Sequence, residues 1–589
     1  AFLAYIGFVP LLMVIDATPE KTFEDRFWGF FKAIFVLIWR FITLQFIWRF
    51  HRKPWLYRRQ IISHNAQVFR YAYTTFVIWN LGTCYWLMMT AFGADDFSET
   101  LINLVAGLVA NLVNPFLMTI PIYLYTQVRK SILRNWAPLA LVFFWLAFEW
   151  LHLNWDLSWS WITLGHSMTL FPSAIQYTEI TGTLGISLQI MLVNVLLFIL
   201  LKSLRDRKNL LTTISAGSIL VLVALPFILN IWLLNPNRPF FQSDRSINVR
   251  VIQPNIDPYL KTKQSAYSRQ IQIMDSLIRQ PGIDTIDLVI TPETSIPKEI
   301  FRECLRQTEL IEPLWQTVYL QHLSILCGFT EVRHYPEDAP NIPNSAREFR
   351  PRYNRFFQSC QDFPQGYYEY CNASFLLRVD TIPQTFQKAK LVPMVERTPF
   401  LDKLIFLKDF KLDLADNLGS YGLPDSIKLM VTDKGVKVGS LVCYESEYGD
   451  YTRQFVQEGA DMFSIITNDG WWQKSSGHIQ HAHFATLRSI ESRRAIARSA
   501  NTGISLFADE KGNIFQATEY GVADFEDRQI PLFSGETFYV RHGDFIGKIA
   551  FWLGLIMLIF AWADQIRTRF KPDNLTNSPA HSAESEALE

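Results

Sequence analysis

Residues 439–450 read Gly-Ser-Leu-Val-Cys-Tyr-Glu-Ser-Glu-Tyr-Gly-Asp, a short apolar segment followed by a polar turn. The apolar run that leads into it is typical of a short buried strand, and it stops at Cys443. Residues 451–458 then have a helical pattern. A thiol at the end of a buried strand, beside the carboxylates Glu445 and Glu447 and ahead of a helix, is placed where a protein presents a nucleophile. The alternative is that Cys443 is a small apolar core residue.

Two other segments bring charged groups to the ends of apolar runs. Residues 287–297, Asp-Leu-Val-Ile-Thr-Pro-Glu-Thr-Ser-Ile-Pro, place Glu293 just beyond a strand. Residues 386–400, Phe-Gln-Lys-Ala-Lys-Leu-Val-Pro-Met-Val-Glu-Arg-Thr-Pro-Phe, offer Lys388 and Glu396 around Leu-Val-Pro. A glutamate, a lysine and a cysteine supply a base, a fixed cation and a nucleophile. The alternative for Glu293 is a surface acid that follows a strand.

Together these residues resemble the nitrilase (carbon–nitrogen hydrolase) superfamily, in which a Glu-Lys-Cys triad occurs in this order. More narrowly, they resemble the apolipoprotein N-acyltransferase family, which embeds the nitrilase fold among membrane helices. The narrower resemblance is carried by Lys388 with Leu-Val-Pro and Glu396 after it, by Cys-Tyr-Glu at 443–445, and by Thr-Asn-Asp-Gly-Trp-Trp at 467–472. Met-Val at 394–395 replaces the commoner Phe-Gly, which leaves the local backbone shape open.

The resemblance implies three catalytic residues. Cys443 is the nucleophile, Glu293 is the base, and Lys388 stabilises the thiolate and the developing oxyanion. Lys390 is the nearest alternative cation, and the family pattern, with lysine three residues before Leu391, selects Lys388.

The resemblance also implies supporting residues around the triad. Glu396 is the second glutamate near the lysine, and Tyr444 and Glu445 follow the nucleophile as in the acyltransferase branch. We further expect a substrate-binding role for a loop beyond the strand 462–466, namely for Asn468, Trp471 and Trp472. The alternative for the two tryptophans is ordinary aromatic packing.

Apolar residues are concentrated at the two ends of this 589-residue chain. Most of the apolar runs approach the ~20 residues that a helix needs to cross a bilayer. They lie at 1–15, 71–92, 101–125, 136–151, 184–201, 211–234 and 545–562. The run at 28–50 has Arg40 near its middle, and we expect it to be an interfacial helix or half of a re-entrant hairpin.

The division of the chain predicts a polytopic α-helical membrane domain plus a globular domain. The resemblance implies that the globular domain is an α/β nitrilase-like extracytoplasmic domain, an αββα sandwich. The expected boundaries are 1–240 for the spans, 241–543 for the catalytic domain, 544–564 for a closing helix and 565–589 for a disordered cytoplasmic tail. The 55 basic and 55 acidic residues cancel, so no overall charge points to nucleic acid.

The loops between the spans predict the orientation. Loops rich in Lys and Arg alternate with loops that have none from residue 71 to residue 211, and basic loops stay in the cytoplasm. The catalytic domain is then placed outside. With the family resemblance, this implies a multi-pass protein of the inner membrane whose catalytic domain faces the periplasm.

The remaining patterns concern the catalytic domain. Strands are expected at 247–253, 323–329 and 373–379, helices at 267–279 and 483–498, and a polar surface excursion at 334–370. An outer location permits disulfides, and Cys360 with Cys371 is the expected pair. His478, His481 and His483 lack the ligand spacing of a closed zinc site, so neither a metal nor another cofactor is expected.

The function implied by the resemblance is acyl transfer through a cysteine thioester. The donor is a phospholipid in the lipid bilayer, and the acceptor is the α-amine of a diacylglyceryl-cysteine at the N-terminus of a lipoprotein. Two alternatives remain at this point. One is a membrane-tethered hydrolase of amides or nitriles that uses the same triad, and the other is a catalytically inactive scaffold that binds lipoproteins.

Overall fold

The computed structural model describes residues 2–18, 64–93, 96–259, 266–283, 285–379, 383–400 and 420–569. The predictions for 28–50 and for most of the tail lie outside these residues. In the membrane region the helices are α1 Phe8–Ala17, α2 His64–Cys84, α3 Phe97–Arg129, α4 Ala137–His152, α5 Thr178–Thr181, α6 Thr183–Arg205 and α7 Asn209–Leu233.

The catalytic part holds α8 Tyr267–Ile278, α9 Glu312–Gln321, α10 Tyr353–Phe356, α11 Gly449–Gln457, α12 Ser476–Ser492 and α13 Phe538–His542, and α14 Phe545–Arg569 closes the chain. Its strands are β1 Ser246–Gln253, β2 Leu288–Ile290, β3 Ile296–Phe301, β4 Ser324–Pro336, β5 Arg347–Phe349, β6 Gly366–Leu377, β7 Gln384–Gln387, β8 Met430–Val431, β9 Lys437–Val442, β10 Met462–Thr467, β11 Ile496–Ala500, β12 Leu506–Ala508, β13 Ile514–Phe515 and β14 Asp524–Pro531.

Four of the described helices are long and apolar enough to cross a membrane: α3, α6, α7 and α14. Helix α7 leaves most of its apolar side chains exposed, as lipid contact requires; Ile231 is 81% exposed. By contrast, α4 has only sixteen residues and packs inside the bundle. The predicted span 71–92 begins earlier, at His64, and continues beyond Cys84 as a 3-10 helix over Tyr85–Gly93.

Two mixed sheets form the catalytic part. One sheet has the order β14-β1-β2-β4-β6-β5, with β3 on β4 and β7 on β6, and the other has the order β13-β12-β11-β10-β9-β8. Their inner faces share one apolar core, and Ser374 of β6 meets Ser440 of β9 across it, with 2.9 Å between the hydroxyl oxygens. Helices α8 and α9 cover the outer face of the first sheet, and α11 and α12 contact elements of the second. The layers are α, β, β, α, as predicted.

The 334–370 segment corrects an expectation. It is not a separate surface excursion, because its two ends extend β4 and β6 into a long antiparallel hairpin that pairs Pro336 with Gly366. Phenylalanines from the segment pack on Phe301 of β3, and the closest ring is Phe363 at 4.2 Å between centroids. Their partner, Phe301, lies outside the segment, so the composition of the segment did not reveal this packing.

The predicted Cys360–Cys371 disulfide is wrong. Cys360 pairs with Cys304, which follows β3, and Cys371 is a free, buried cysteine in β6. Strand β6 fixes Cys371 opposite Glu331 of β4. Proximity along the chain therefore did not predict proximity in space.

The helix expected at 483–498 is also displaced. Helix α12 begins at Ser476, where the Ser475 side chain accepts a hydrogen bond from the Gly477 amide. It ends at Ser492, and the next residue, Arg493, has a left-handed φ of +52°. The chain then enters the buried strand β11. Several arginines there are buried and paired with acceptors, which hid the strand from an apolar pattern.

Loops between α4 and α6 connect the membrane helices to the catalytic part. The Tyr444 hydroxyl donates to the Ser158 carbonyl at 2.7 Å, and Ser160 hydrogen-bonds Glu447. Thr183, at the start of α6, donates its amide and hydroxyl to Glu491 of α12. The turn that carries Cys443 therefore rests directly on the membrane bundle.

Candidate active site

Cys443 lies where strand β9 ends and a 3-10 helix over Cys443–Glu447 begins. Its φ of +52° is left-handed, a conformation that a non-glycine residue adopts only where the surroundings hold it. Glu293 follows β2 on the facing sheet, and Lys388 follows β7. The strand ends thus bring the three predicted catalytic residues to the same edge of the sandwich.

The charges of Glu293, Lys388 and Glu396 meet inside the protein. Lys388 Nζ lies 3.3 Å from Glu293 Oε1 and 2.9 Å from Glu396 Oε1. Burial alone would lower the pKa of the Lys388 ammonium, but the two carboxylates outweigh it, so the pKa stands well above its ordinary value. Lys388 is therefore a fixed cation between two acids.

Asn372 of β6 completes this cluster, and the sequence patterns did not single it out. Its side-chain Nδ2 donates to Glu293 Oε1 at 2.7 Å and to Glu396 Oε1 at 2.9 Å. Its backbone carbonyl accepts from the Lys388 backbone amide at 2.8 Å. The only local signal is a polar residue just ahead of the mostly apolar stretch 373–377. Its role depends on strand pairing, which a single strand does not reveal.

Glu396 is oriented by its own loop. Its Oε2 accepts from the Val392 amide at 2.7 Å, and its amide donates to the Val392 carbonyl at 2.9 Å. Met394 stands in this loop with a left-handed φ of +66°. The Met-Val replacement at 394–395 therefore coexists with a closed loop that directs the Glu396 carboxylate to Lys388.

The charges of this cluster change the pKa of the Cys443 thiol. Burial raises the pKa of the Cys443 thiol well above its ordinary value, the charge of Glu293 raises it further, and the charge of Lys388 lowers it. At neutral pH the side chain is consequently a thiol. A group that uses it as a nucleophile must first remove its proton.

Glu445 ties the Cys443 turn to the lysine segment. Its Oε2 accepts from the Val442 amide at 2.8 Å, and its Oε1 accepts from the Ala389 amide at 2.6 Å. Burial raises the pKa of Glu445 to about 7. The neighbouring Tyr444 stacks on Trp161, with 6.2 Å between ring centroids. Both side chains are buried, and their contacts hold the backbone around the site in place.

Lys390, the alternative cation, lies elsewhere. Its Nζ sits 5.1 Å from the centroid of the Tyr448 ring. Burial lowers the pKa of Lys390, and the nearby carboxylates of Asp450, Glu445 and Asp544 partly restore it. The geometry therefore favours Lys388 as the cation beside Glu293.

The predicted substrate-binding loop divides into buried and exposed parts. Trp472 packs between Trp86 and His481, at 4.7 and 5.4 Å between ring centroids. Trp471 is 41% exposed and meets the Tyr259 ring edge-on at 5.0 Å. Asn468 is buried and accepts from Asn501 Nδ2 at 3.0 Å. Of the two tryptophans, Trp471 is the more exposed, and Trp472 is partly buried.

The three histidines lie on α12 rather than ahead of it. His481 contacts Asp469 and the Cys443 carbonyl, a role that no sequence pattern predicted. His478 lies over the Tyr520 ring at 4.4 Å. Among the described residues, no group of three His, Cys, Asp or Glu is arranged as metal ligands.

Comparison with known proteins agrees with this architecture. Residues 54–196 match the apolipoprotein N-acyltransferase N-terminal domain, and residues 353–522 match the carbon-nitrogen hydrolase family. An apolipoprotein N-acyltransferase of Chlorobaculum tepidum is 26% identical over 503 residues, which cover 84% of this chain and 87% of that protein. One of Geobacter metallireducens is also 26% identical and covers 84% and 85%.

Among solved structures, a mutant amidase of the nitrilase superfamily from Nesterenkonia has 12% sequence identity and a TM-score of 0.32, and the match covers 51% of this chain and 95% of the amidase. The match to the hydrolase family and the α-β-β-α layers together define a carbon–nitrogen hydrolase domain attached to membrane helices. Over most of its length the chain is similar to apolipoprotein N-acyltransferases, and it matches both the N-terminal domain of that family and the carbon-nitrogen hydrolase domain.

Proposed function

We propose that the chain transfers a fatty acyl group from a phospholipid, through a thioester on Cys443, to the N-terminal α-amine of a diacylglyceryl-cysteine lipoprotein. The observation that carries this proposal is the buried contact of Lys388 with both Glu293 and Glu396 beside the Cys443 thiol. The attached apolar helices support a lipid substrate, because they place the site beside a bilayer. Each methylene of a fatty acyl chain that is kept out of water contributes about 0.8 kcal/mol.

In the first step, Glu293 takes the proton from the Cys443 thiol, and the sulfur attacks the ester carbonyl of the phospholipid. The carbonyl oxygen becomes an oxyanion, which the Lys388 ammonium stabilises. The tetrahedral intermediate collapses when the C–O bond to the glycerol oxygen breaks. Glu293 returns its proton to that oxygen, so a lysophospholipid leaves and Cys443 carries the acyl group as a thioester.

In the second step, the amine of the lipoprotein attacks the thioester carbonyl. Glu293 accepts the proton that the amine loses, the C–S bond breaks, and Glu293 reprotonates the sulfur. An amide has formed and the enzyme is restored without a cofactor. Lys388 keeps its charge, because the carboxylates of Glu293 and Glu396 raise its pKa in the resting enzyme and Glu396 stays ionised while Glu293 carries the proton.

We further propose that the catalytic domain, residues 241–543, faces the periplasm from the inner membrane, between spans within 1–240 and 544–564. The alternating basic loops support this orientation. The Cys304–Cys360 disulfide supports it independently, because disulfides persist in oxidising compartments. A single cysteine placed at Lys208 should then resist an impermeant thiol reagent in intact cells, and its modification would contradict the orientation.

The proposed activity is tested with a phospholipid and a synthetic diacylglyceryl lipopeptide in detergent micelles. We expect the lipopeptide mass to rise by one acyl group, and an N-acetylated lipopeptide, which lacks the free amine, to remain unchanged. Release of free fatty acid at the same rate with or without lipopeptide would instead assign hydrolysis. No reaction with either substrate would favour an inactive scaffold.

A further inference from the structure

His481 lies behind the nucleophile, on α12, and is only 1% exposed. Its Nε2 lies 3.3 Å from the Cys443 carbonyl oxygen and 3.3 Å from Ser446 Oγ. A carbonyl oxygen only accepts hydrogen bonds. The Ser446 hydroxyl donates to the same carbonyl at 2.8 Å, so its oxygen is left to accept. Both neighbours of Nε2 are acceptors, and Nε2 therefore carries a proton.

Asp469 fixes the other side of the ring. Its Oδ1 lies 2.9 Å from His481 Nδ1 and accepts from Thr467 Oγ1 at 2.8 Å, and its Oδ2 accepts from Arg498 Nη2 at 2.7 Å. Burial would raise the pKa of Asp469, but Arg498 and His481 outweigh it and hold that pKa well below its usual range. The carboxylate therefore stays ionised, and together with Arg498 Nη2, which lies 3.2 Å from Nδ1, it restrains the ring on this side.

The Cys443 carbonyl, which His481 and Ser446 hold, belongs to the peptide group that joins Cys443 to Tyr444. A trans peptide is planar, so its N–H points opposite to its C=O. With the Cys443 carbonyl fixed toward His481 and Ser446, the Tyr444 N–H is directed to the opposite side. The same two hydrogen bonds restrain Cys443 in its left-handed conformation.

We propose that His481 is a positioning residue of the transferase: its Nε2–H, oriented by Asp469, holds the Cys443 carbonyl and thereby aims both Sγ and the Tyr444 N–H at the attacked carbonyl group. The inference rests on the proposed function. His481 takes no part in proton transfer, since its Nε2–H is engaged with the backbone. Positioning of this kind changes the rate of the chemical step and leaves substrate binding unaffected.

Two replacements of His481 separate positioning from packing. The amide nitrogen of glutamine reaches the place of Nε2, whereas that of asparagine reaches only the place of Nδ1. We expect His481→Asn to slow single-turnover formation of the Cys443 thioester by about tenfold or more, and His481→Gln to stay within about threefold of the native rate. The phospholipid concentration for half-maximal rate should be unchanged in both. Acyl adduct is measured by quenched intact-mass spectrometry.

His478→Asn is the matched control, because His478 lies on the same helix and packs on Tyr520. It should react at the native rate. Equal rate losses in the asparagine and glutamine variants, in proportion to their losses in melting temperature, would reduce His481 to a packing residue and overturn the inference.

Ser446→Ala provides a second route if His481→Asn does not fold. It removes the other donor to the Cys443 carbonyl, so we expect a smaller loss of rate, about threefold to tenfold. An unchanged rate would overturn the inference. If the native enzyme forms no adduct with phospholipid, the proposed function itself fails. A native adduct together with full-rate His481→Asn contradicts the positioning role alone.

Discussion

The Lys388 ammonium lies 3.3 Å from the Glu293 carboxylate inside the protein, and both side chains are buried. Removing one partner of a buried ion pair lowers the stability of the fold more than removing one partner of a surface pair, because the remaining charge stays buried. The contact therefore links the stability of the site to its chemistry.

Lys388→Met removes the cation that faces the oxyanion. Loss of one such group costs roughly 10²–10³-fold in rate, and we expect a loss of that order in acyl transfer. Lys390→Met is the control, since Lys390 lies over the Tyr448 ring. Both rates are measured with the lipopeptide assay at saturating phospholipid. Full activity in Lys388→Met with loss in Lys390→Met would exchange the two roles.

Asn372→Leu removes the donor shared by Glu293 and Glu396. The two carboxylates lose the donor that they share besides Lys388, and we expect a drop of about tenfold in the rate of adduct formation. Asn513→Ala is a suitable control, because Asn513 is exposed and bonds only Asp509. Asn501→Leu is a poor control, because Asn501 is buried elsewhere in the same domain. Native rates in Asn372→Leu would contradict the bridging role.

The raised pKa of Glu445 predicts that the stability of the fold depends on pH. Burial raises its pKa from 4.5 to about 7, so between these values the folded state binds a proton that the unfolded state releases. Unfolding free energy therefore falls as pH rises through this window. Glu445→Gln does not titrate and should remove this share of the slope. The check is the difference in melting temperature between native protein and variant at pH 4.5, 6 and 7.5; a constant difference would contradict the assignment.

The Cys304–Cys360 disulfide closes a loop across 56 residues of sequence separation. In the loop-entropy account such a bond stabilises the fold by about 4 kcal/mol. We expect Cys360→Ser to lower the melting temperature under non-reducing conditions, and Cys371→Ser to change it much less. Peptide mapping without reduction should recover Cys304 joined to Cys360. A joined Cys360–Cys371 peptide would contradict the structure.

The ends of strands are the part of this site that sequence alone predicts well. Cys443 and Glu293 each follow a short apolar run, and the buried pattern of the run is a local property. Asn372 and His481 were missed because their partners come from strands and helices distant along the chain. Pairing of β4 with β6, which separates Cys371 from Cys360, is likewise a long-range contact. Local patterns fixed where the reactive groups stand, and tertiary packing decided what surrounds them.

The most direct measurement of the central claim is the intact mass of the enzyme after incubation with phospholipid alone. The native chain should gain the mass of one fatty acyl group, sensitive to hydroxylamine as a thioester is. Cys443→Ala should gain nothing, and Glu293→Gln should gain it at a strongly reduced rate, since no base removes the thiol proton. An adduct of the same mass on Cys443→Ala, or native-rate adduct formation in Glu293→Gln, would contradict the account.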